Sequence, residues 1–132
     1  PFLVASSVNC ILAQRLARKV CEECKERETE LTKQALLDAG LSEEEIANAT
    51  LFRGRGCRNC SETGYKGRIA VYEVMELTEE LKEFVLNGAS SMELKREAIR
   101  GGMMTLRRSA LNKLVQGTTT LSEVLRVSSS DK

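Results

Sequence analysis

The chain has 132 residues, and its 20 Lys and Arg residues against 19 Asp and Glu residues leave a formal net charge of +1. This balance gives no electrostatic reason for binding nucleic acid or an anionic membrane, and an aromatic content of 4% without tryptophan argues against a stacking platform for single strands. The absence of histidine excludes histidine catalysis and mixed cysteine–histidine metal sites, and no apolar run approaches the roughly 18 residues of a transmembrane helix.

The first predicted element is a helix over residues 4–20. Its apolar residues recur at three- and four-residue steps and would therefore share one helix face: Val8, Ile11, Leu12, Leu16 and Val20. The basic side of this helix is interpreted as a solvated face, with the alternative that Arg15 or Arg18 faces a nucleotide or a neighbouring domain. Cys10 lies within the pattern and is interpreted as a small packed apolar residue rather than a metal ligand.

Two C-x-x-C pairs follow, and they carry the strongest chemical signal in the sequence. A two-residue gap lets both thiolates of a pair point at the same ion, and two pairs separated by an insert are typical of a tetrahedral four-cysteine zinc site. Gly56 and Gly64 flank the second pair and permit a tight backbone there. The sequence therefore predicts a structural zinc site with four ligands: Cys21, Cys24, Cys57 and Cys60.

Other interpretations of the cysteines stay open at this point. Iron in a rubredoxin-like site uses the same ligands. Disulfides suit a secreted protein, but the sequence shows no signal peptide and the odd fifth cysteine, Cys10, argues against a complete disulfide set. A redox C-x-x-C is expected near a βαβ pattern, which the sequence lacks. A free-standing zinc-ribbon module that binds protein or nucleic acid is the alternative function, since basic residues flank the second pair: Arg53, Arg55, Arg58, Lys66 and Arg68.

The residue pattern of the insert between the pairs predicts two helices, and that of the stretch after the second pair predicts a strand. The charged residues 28–39 form a helical pattern that Gly40 ends, and Ser42 with Glu45 makes a capping box for a short helix through Ala49. Residues 65–77 are rich in β-branched and aromatic side chains, which favour a strand.

The last third predicts four amphipathic helices joined by short glycine-containing turns. Each begins after a Ser or Thr that can cap it, namely Thr78, Ser90, Thr105 and Thr120, with Glu93 and Glu123 as the acidic partners of two caps. Such helices pack into a compact bundle. The predicted fold class is α+β and mainly helical, with a four-cysteine zinc-binding subdomain that includes a short strand segment, followed by a compact C-terminal helical subdomain.

An ordered set of short motifs runs through the chain. It comprises PFLVASS at 1–7, AQRL at 13–16, the two cysteine pairs, TGYKGR at 63–68, GMMTL at 102–106 and GTT at 117–119. With this set the chain resembles the C-terminal part of the secretion ATPases, the class that includes GspE of type II secretion and PilB of type IV pilus assembly. The residues do not separate these two systems.

The resemblance implies a cytoplasmic, homo-hexameric motor that is peripheral to the inner membrane and does not insert into it. ATP and Mg²⁺ would act in a RecA-like domain of the parent protein, and an inner-membrane platform protein would receive the motion that assembles a pilus or pseudopilus. The four cysteines would be the zinc ligands, and Arg15 would face the nucleotide. No nucleic-acid partner is expected.

The resemblance also divides the chain into three parts. Residues 1–20 would be the last piece of the RecA-like domain, residues 21–76 the metal-binding subdomain and residues 77–132 the helical subdomain. The phosphate-binding loop and the Mg²⁺-binding acidic motifs would lie upstream of Pro1. We therefore expect the chain to be cut from a larger ATPase and not to hydrolyse ATP by itself.

Overall fold

The computed structural model of the chain describes residues 7, 8 and 10–129. This part of the chain contains four strands: β1 (Cys10–Val20), β2 (Lys25–Arg27), β3 (Phe52–Gly54) and β4 (Tyr65–Glu76). It also contains six α-helices: α1 (Lys33–Ala39), α2 (Glu43–Asn48), α3 (Glu79–Leu86), α4 (Ser91–Arg100), α5 (Leu106–Val115) and α6 (Leu121–Val127). A 3₁₀ turn covers Arg58–Cys60. The predicted α+β, mainly helical fold class is confirmed.

The strands form two separate two-stranded sheets. The long strands β1 and β4 are hydrogen-bonded to each other, and the short strands β2 and β3 pair antiparallel. In the short sheet Lys25 lies opposite Gly54, and Arg27 lies opposite Phe52. The strand predicted over residues 65–77 is therefore confirmed as β4.

The helix predicted over residues 4–20 is wrong from Cys10 onward, because this stretch is β1. The apolar spacing fitted a helix, but the backbone of the stretch is satisfied by β4 on one side and, near its end, by the segment before and within α6. The interpretation of Cys10 as a packed residue is also wrong, since its side chain is exposed. Residues 4–6 and 9 of the predicted helix lie outside the described residues.

The chain divides into two compact units, one formed by residues 14–71 and 106–132 and the other by residues 1–13 and 72–105. The core of the first unit is built around α5, where Ala110, Leu111 and Leu114 are at most 2% exposed. The buried members of this core are Ala17, Leu36, Ala39, Leu41, Val71, Ala110, Leu111, Leu114, Leu121, Val124 and Val127. The three-part division predicted from the resemblance stays a prediction.

The insert between the cysteine pairs is attached to the core of its unit by two arginines of α5. The buried Arg107 donates to the carbonyl oxygen of Ala39 at 3.1 Å. Arg108 forms an ion pair with Glu45 at 2.6 Å, and this contact lowers the pKa of the Glu45 carboxyl. The predicted capping box of Ser42 and Glu45 is confirmed in α2.

The first insert helix is shorter than the sequence predicts. It begins at Lys33, because Thr32 caps it there. The backbone N–H of Glu28 donates to the carbonyl of Leu51 at 2.9 Å, which continues the strand-like contact beyond β2. Gly40 ends the helix with a φ of +121°, as predicted.

The second unit has a smaller core of its own. Leu77, Leu81 and Ala98 are buried there, and the partly buried side chains around them are Val8, Met75, Leu94 and Met103. Thr78 caps α3 and Ser90 caps α4, which confirms these two predicted helix starts. No described helix combines the length and the apolar character needed to cross a membrane.

Candidate metal centre

The four predicted ligands lie together, and their sulfur atoms are all within 4.8 Å of one another. The Sγ atoms of Cys21 and Cys57 are 3.8 Å apart, as are those of Cys24 and Cys60. Zinc–sulfur bonds of about 2.3 Å in a tetrahedron place the sulfurs about 3.8 Å apart. The geometry and the chemistry of the donors therefore fit a single tetrahedral ion.

Two loops bring these cysteines together. The first pair occupies the turn between β1 and β2, and the second pair occupies the loop between β3 and β4, around the 3₁₀ turn. The backbone N–H of Cys21 donates to the carbonyl of Gly64 at 3.0 Å, and the N–H of Arg55 donates to the carbonyl of Cys24 at 3.1 Å. These contacts, together with the β2–β3 pairing, hold the loops side by side.

Two glycines allow the close approach of the backbone at this point. A Cβ atom on Gly54 would lie 2.0 Å from the carbonyl oxygen of Gly64, and one on Gly64 would lie 2.6 Å from the carbonyl oxygen of Gly54. Gly64 also has a φ of +84°, which other residues rarely adopt. The sequence indicated Gly64, but nothing in its pattern marked Gly54.

Backbone amides of the second loop point at the sulfur atoms. The N–H groups of Cys57 and Gly64 donate to the sulfur of Cys60 at 3.3 and 3.2 Å. Burial raises the pKa of this thiol, but the two donors and the neighbouring Cys57 and Cys24 thiols together outweigh burial and lower the pKa of Cys60 to about 6. Donors of this kind offset the negative charge that thiolates bring to a metal site.

The remaining thiols do not ionise equally. Burial raises the pKa of Cys24 to about 12, although the N–H of Gly56 donates to its sulfur at 3.3 Å. Burial also raises the pKa of Cys21, but backbone N–H groups within its own turn and the Cys57 and Cys24 thiols together outweigh burial and lower this pKa. The Cys60 amide lowers the pKa of Cys57, yet burial and the neighbouring thiols raise it overall. A cation that binds all four sulfurs must therefore displace protons.

A buried carboxylate beside the end of β1 was missed as an interaction centre. The Glu123 side chain is 1% exposed and forms ion pairs with Arg18 at 3.2 Å and Arg126 at 2.8 Å. We call these three residues the Glu123 cluster. Hydrogen bonds from Arg126 and Arg18 outweigh burial and lower the pKa of Glu123 to about 2. The predicted cap of α6 is present, because Thr120 accepts from the Glu123 N–H, but the carboxylate binds the arginines.

Arg15 is an exposed residue of β1, and its hydrogen bond does not involve any of the four cysteines. Its guanidinium donates to the carbonyl of the adjacent Gln14 at 2.8 Å. A nucleotide-facing role for Arg15 therefore stays a prediction.

The family model described as "Type II/IV secretion system protein" matches residues 1–126. The chain belongs to this family. It is 51% identical over 132 residues to the "Type IV pilus assembly ATPase PilB" of Myxococcus xanthus, which is 100% of this chain and 23% of the relative. It is 45% identical over 125 residues to the protein of the same name from Thermus thermophilus, covering 95% of the chain and 14% of the relative.

Both branches of the family are similar to the chain. The "Type II secretion system protein E" of Aeromonas hydrophila is 34% identical over 131 residues, covering 99% of the chain and 25% of the relative. The resemblance seen in the sequence is thus confirmed at the level of the family. The chain spans a quarter or less of the length of these curated relatives.

Proposed function

We propose that the chain is the C-terminal metal-binding and helical module of a motor ATPase for secretion or pilus assembly. The observation that carries the proposal is the gathering of four cysteine sulfurs within 4.8 Å in a chain whose family match covers residues 1–126. The relatives named as pilus assembly ATPases support the motor role. A free-standing zinc-ribbon module is the weaker alternative, because the match extends over both units.

Zinc is the metal we assign to the cysteine centre, and its role is structural. Four thiolates complete the coordination shell, so no position stays open for water or a substrate, as is typical of structural zinc sites. Strands β2 and β3 have three residues each and supply little stability by themselves. A bound ion would cross-link the two loops, and zinc binding in small domains contributes on the order of 10 kcal/mol to folding.

The parent protein would work as a homo-hexamer in the cytoplasm, at the inner membrane. ATP and Mg²⁺ would bind in its RecA-like domain, with Arg15 near the nucleotide. Residues 1–20 would belong to that domain, residues 21–76 to the metal-binding subdomain and residues 77–132 to the helical subdomain. The cross-linked module would pass motion of the ATP-binding domain to an inner-membrane platform protein, which assembles the pilus or pseudopilus.

Elemental analysis tests the metal assignment directly. We expect one zinc per chain in the purified protein, and we expect Cys60→Ser to lose that zinc. Cys10→Ser is the matched control, because Cys10 is exposed and lies outside the cluster. A metal-free protein that stays folded, with the thiols of all four clustered cysteines reactive, would contradict the zinc assignment. Stoichiometric iron would show that the site binds iron instead of zinc.

A second experiment tests the motor role in the full-length protein. Cys60→Ser in the parent gene should abolish surface pili or protein secretion, whereas Cys10→Ser should leave them intact. Normal assembly in the Cys60→Ser strain, with the protein at its usual level, would contradict the proposed coupling role.

A further inference from the structure

The segment formed by residues 118–126 contacts the chain immediately before the first cysteine pair. The N–H of Val20, next to Cys21, donates to the carbonyl of Thr118 at 2.9 Å. The hydroxyl of Thr119 donates to the carbonyl of Arg18 at 2.7 Å. The N–H of Arg18 in turn donates to the carboxylate of Glu123 at 2.7 Å. Hence the last residues of β1 are held by contacts to a segment about a hundred residues further along the chain.

The same segment also contacts Tyr65, the first residue of β4, at the end of the loop that holds the second cysteine pair. The Tyr65 hydroxyl is hydrogen-bonded to the hydroxyl of Thr120 at 2.8 Å. The Arg18 guanidinium lies over the Tyr65 ring, 4.2 Å from its centroid, while it is paired with Glu123. Residues 118–126 therefore contact the chain at the ends of both cysteine loops.

Two polar residues of the segment 118–126 are almost fully buried. Thr119 is 0% exposed and the Glu123 side chain is 1% exposed, so both polar groups depend on their partners in the protein for hydrogen bonds. Glu123 accepts from the backbone of β1 and from two guanidinium groups, one of which belongs to Arg126 on its own helix. Glutamine has the same shape, but its NH₂ group would face donors at one of these positions.

We propose that Glu123 is a positioning residue for the metal centre, which sets the distance between the two cysteine loops before the metal binds. The proposal rests on the proposed metal-binding function. Loops that are ordered by the fold lose less conformational entropy when the ion binds, so the affinity rises. Loss of the Glu123 carboxylate removes one of the contacts that hold the end of β1 and, through Arg18, weakens a contact with the start of β4, so that the metal must order more of both loops.

Cobalt(II) is the probe for the test, since thiolate-bound Co²⁺ absorbs visible light and reports its coordination. We expect Glu123→Gln to weaken Co²⁺ binding about tenfold, the lower end of the effect typical of residues that orient metal ligands, when affinity is measured by competition with a colorimetric chelator. We also expect a broader cobalt spectrum. Tyr65→Phe removes one hydroxyl contact of the other loop and should weaken binding about two- to threefold.

Two controls separate positioning from other effects. Glu22→Gln removes an exposed carboxylate next to Cys21. Although Glu22 is nearer to the cysteines in the sequence than Glu123 is, this change should lower the Co²⁺ affinity less than Glu123→Gln does. Ser42→Ala removes the cap of α2 in the same unit and reports the effect of general destabilisation. A Glu123→Gln protein that binds Co²⁺ as tightly as the wild type, or no more weakly than Ser42→Ala, would overturn the positioning role alone. A wild-type chain that binds no Co²⁺ would overturn the metal centre as well.

Discussion

A buried carboxylate usually needs a cation beside it, and Glu123 has two. Both arginine side chains are about half exposed, at 48% for Arg18 and 52% for Arg126, while the carboxylate between them is not. The sequence marked Glu123 only as the acidic member of a helix cap, because its distance from Thr120 fits that pattern. Its partner on β1 lies 105 residues away, and no local pattern reports a contact of that kind.

This arrangement predicts how the stability of the chain depends on pH. The folded state lowers the pKa of Glu123 from 4.5 to about 2, so its contribution to stability is complete above pH 4.5 and is lost as the pH falls toward 2. Glu123→Gln should lower the free energy of unfolding by about 2 kcal/mol at pH 7, with a smaller difference at pH 3. Urea unfolding of both proteins at the two pH values measures this.

The exposed Glu83 of α3 provides the control for this prediction, because Glu83→Gln should leave the free energy of unfolding nearly unchanged at both pH values. A constant difference between wild type and Glu123→Gln from pH 7 to pH 3 would contradict the role of the ionised carboxylate.

The elements differ in how well the sequence predicts them, and the difference has a physical cause. Helices such as α2, α3 and α4 carry their own signals, since a cap and an apolar stripe lie within a few residues of each other. Strand β1 has no such local signal. Its apolar residues fit a helical period, and its extended form depends on β4 and on the segment at 118–126. The cysteine spacing predicted that the four sulfurs lie together, which they do. Of the two glycines in close contact beside them, the sequence pattern indicated Gly64 but not Gly54.

That glycine contact gives a prediction at the level of the paired loops. Gly54→Ala should destabilise the chain by about 2 kcal/mol or more and weaken metal binding, because its Cβ would lie 2.0 Å from the carbonyl oxygen of Gly64 and the backbone must shift. Thermal unfolding and zinc content measure the two effects.

Gly101 offers the matched control for this prediction. A Cβ added there meets its nearest neighbour at 3.5 Å, an ordinary contact, so Gly101→Ala should change stability by less than about 0.5 kcal/mol. Equal stability of the two variants would contradict the close approach of the loops at Gly54.

For the whole molecule, it matters which of the two units contains the four clustered cysteines. All four cysteines belong to the unit of residues 14–71 and 106–132, and the core of Leu77, Leu81 and Ala98 belongs to the other unit. Loss of the proposed zinc ion should therefore act on one unit first, since local opening depends on local contacts.

Hydrogen exchange measures this difference after the proposed zinc is removed with a chelator. We expect amide exchange to accelerate over residues 20–28 and 51–65, and to change little in α3 and α4. The protein with zinc restored is the control and should regain its original exchange. Uniform acceleration along the chain would show that the metal supports both units equally.

The contacts at the end of β1 also bear on aggregation. Strands at the margin of a sheet tend to recruit strands from other molecules, and such edge pairing leads to fibres. Here four backbone groups near the end of β1 are already hydrogen-bonded to side chains or backbone of residues 118–126. They are the Leu16 carbonyl, the Arg18 amide and carbonyl, and the Val20 amide. A strand from a second molecule could pair along that stretch only by displacing these bonds, so we expect them to disfavour association through this edge.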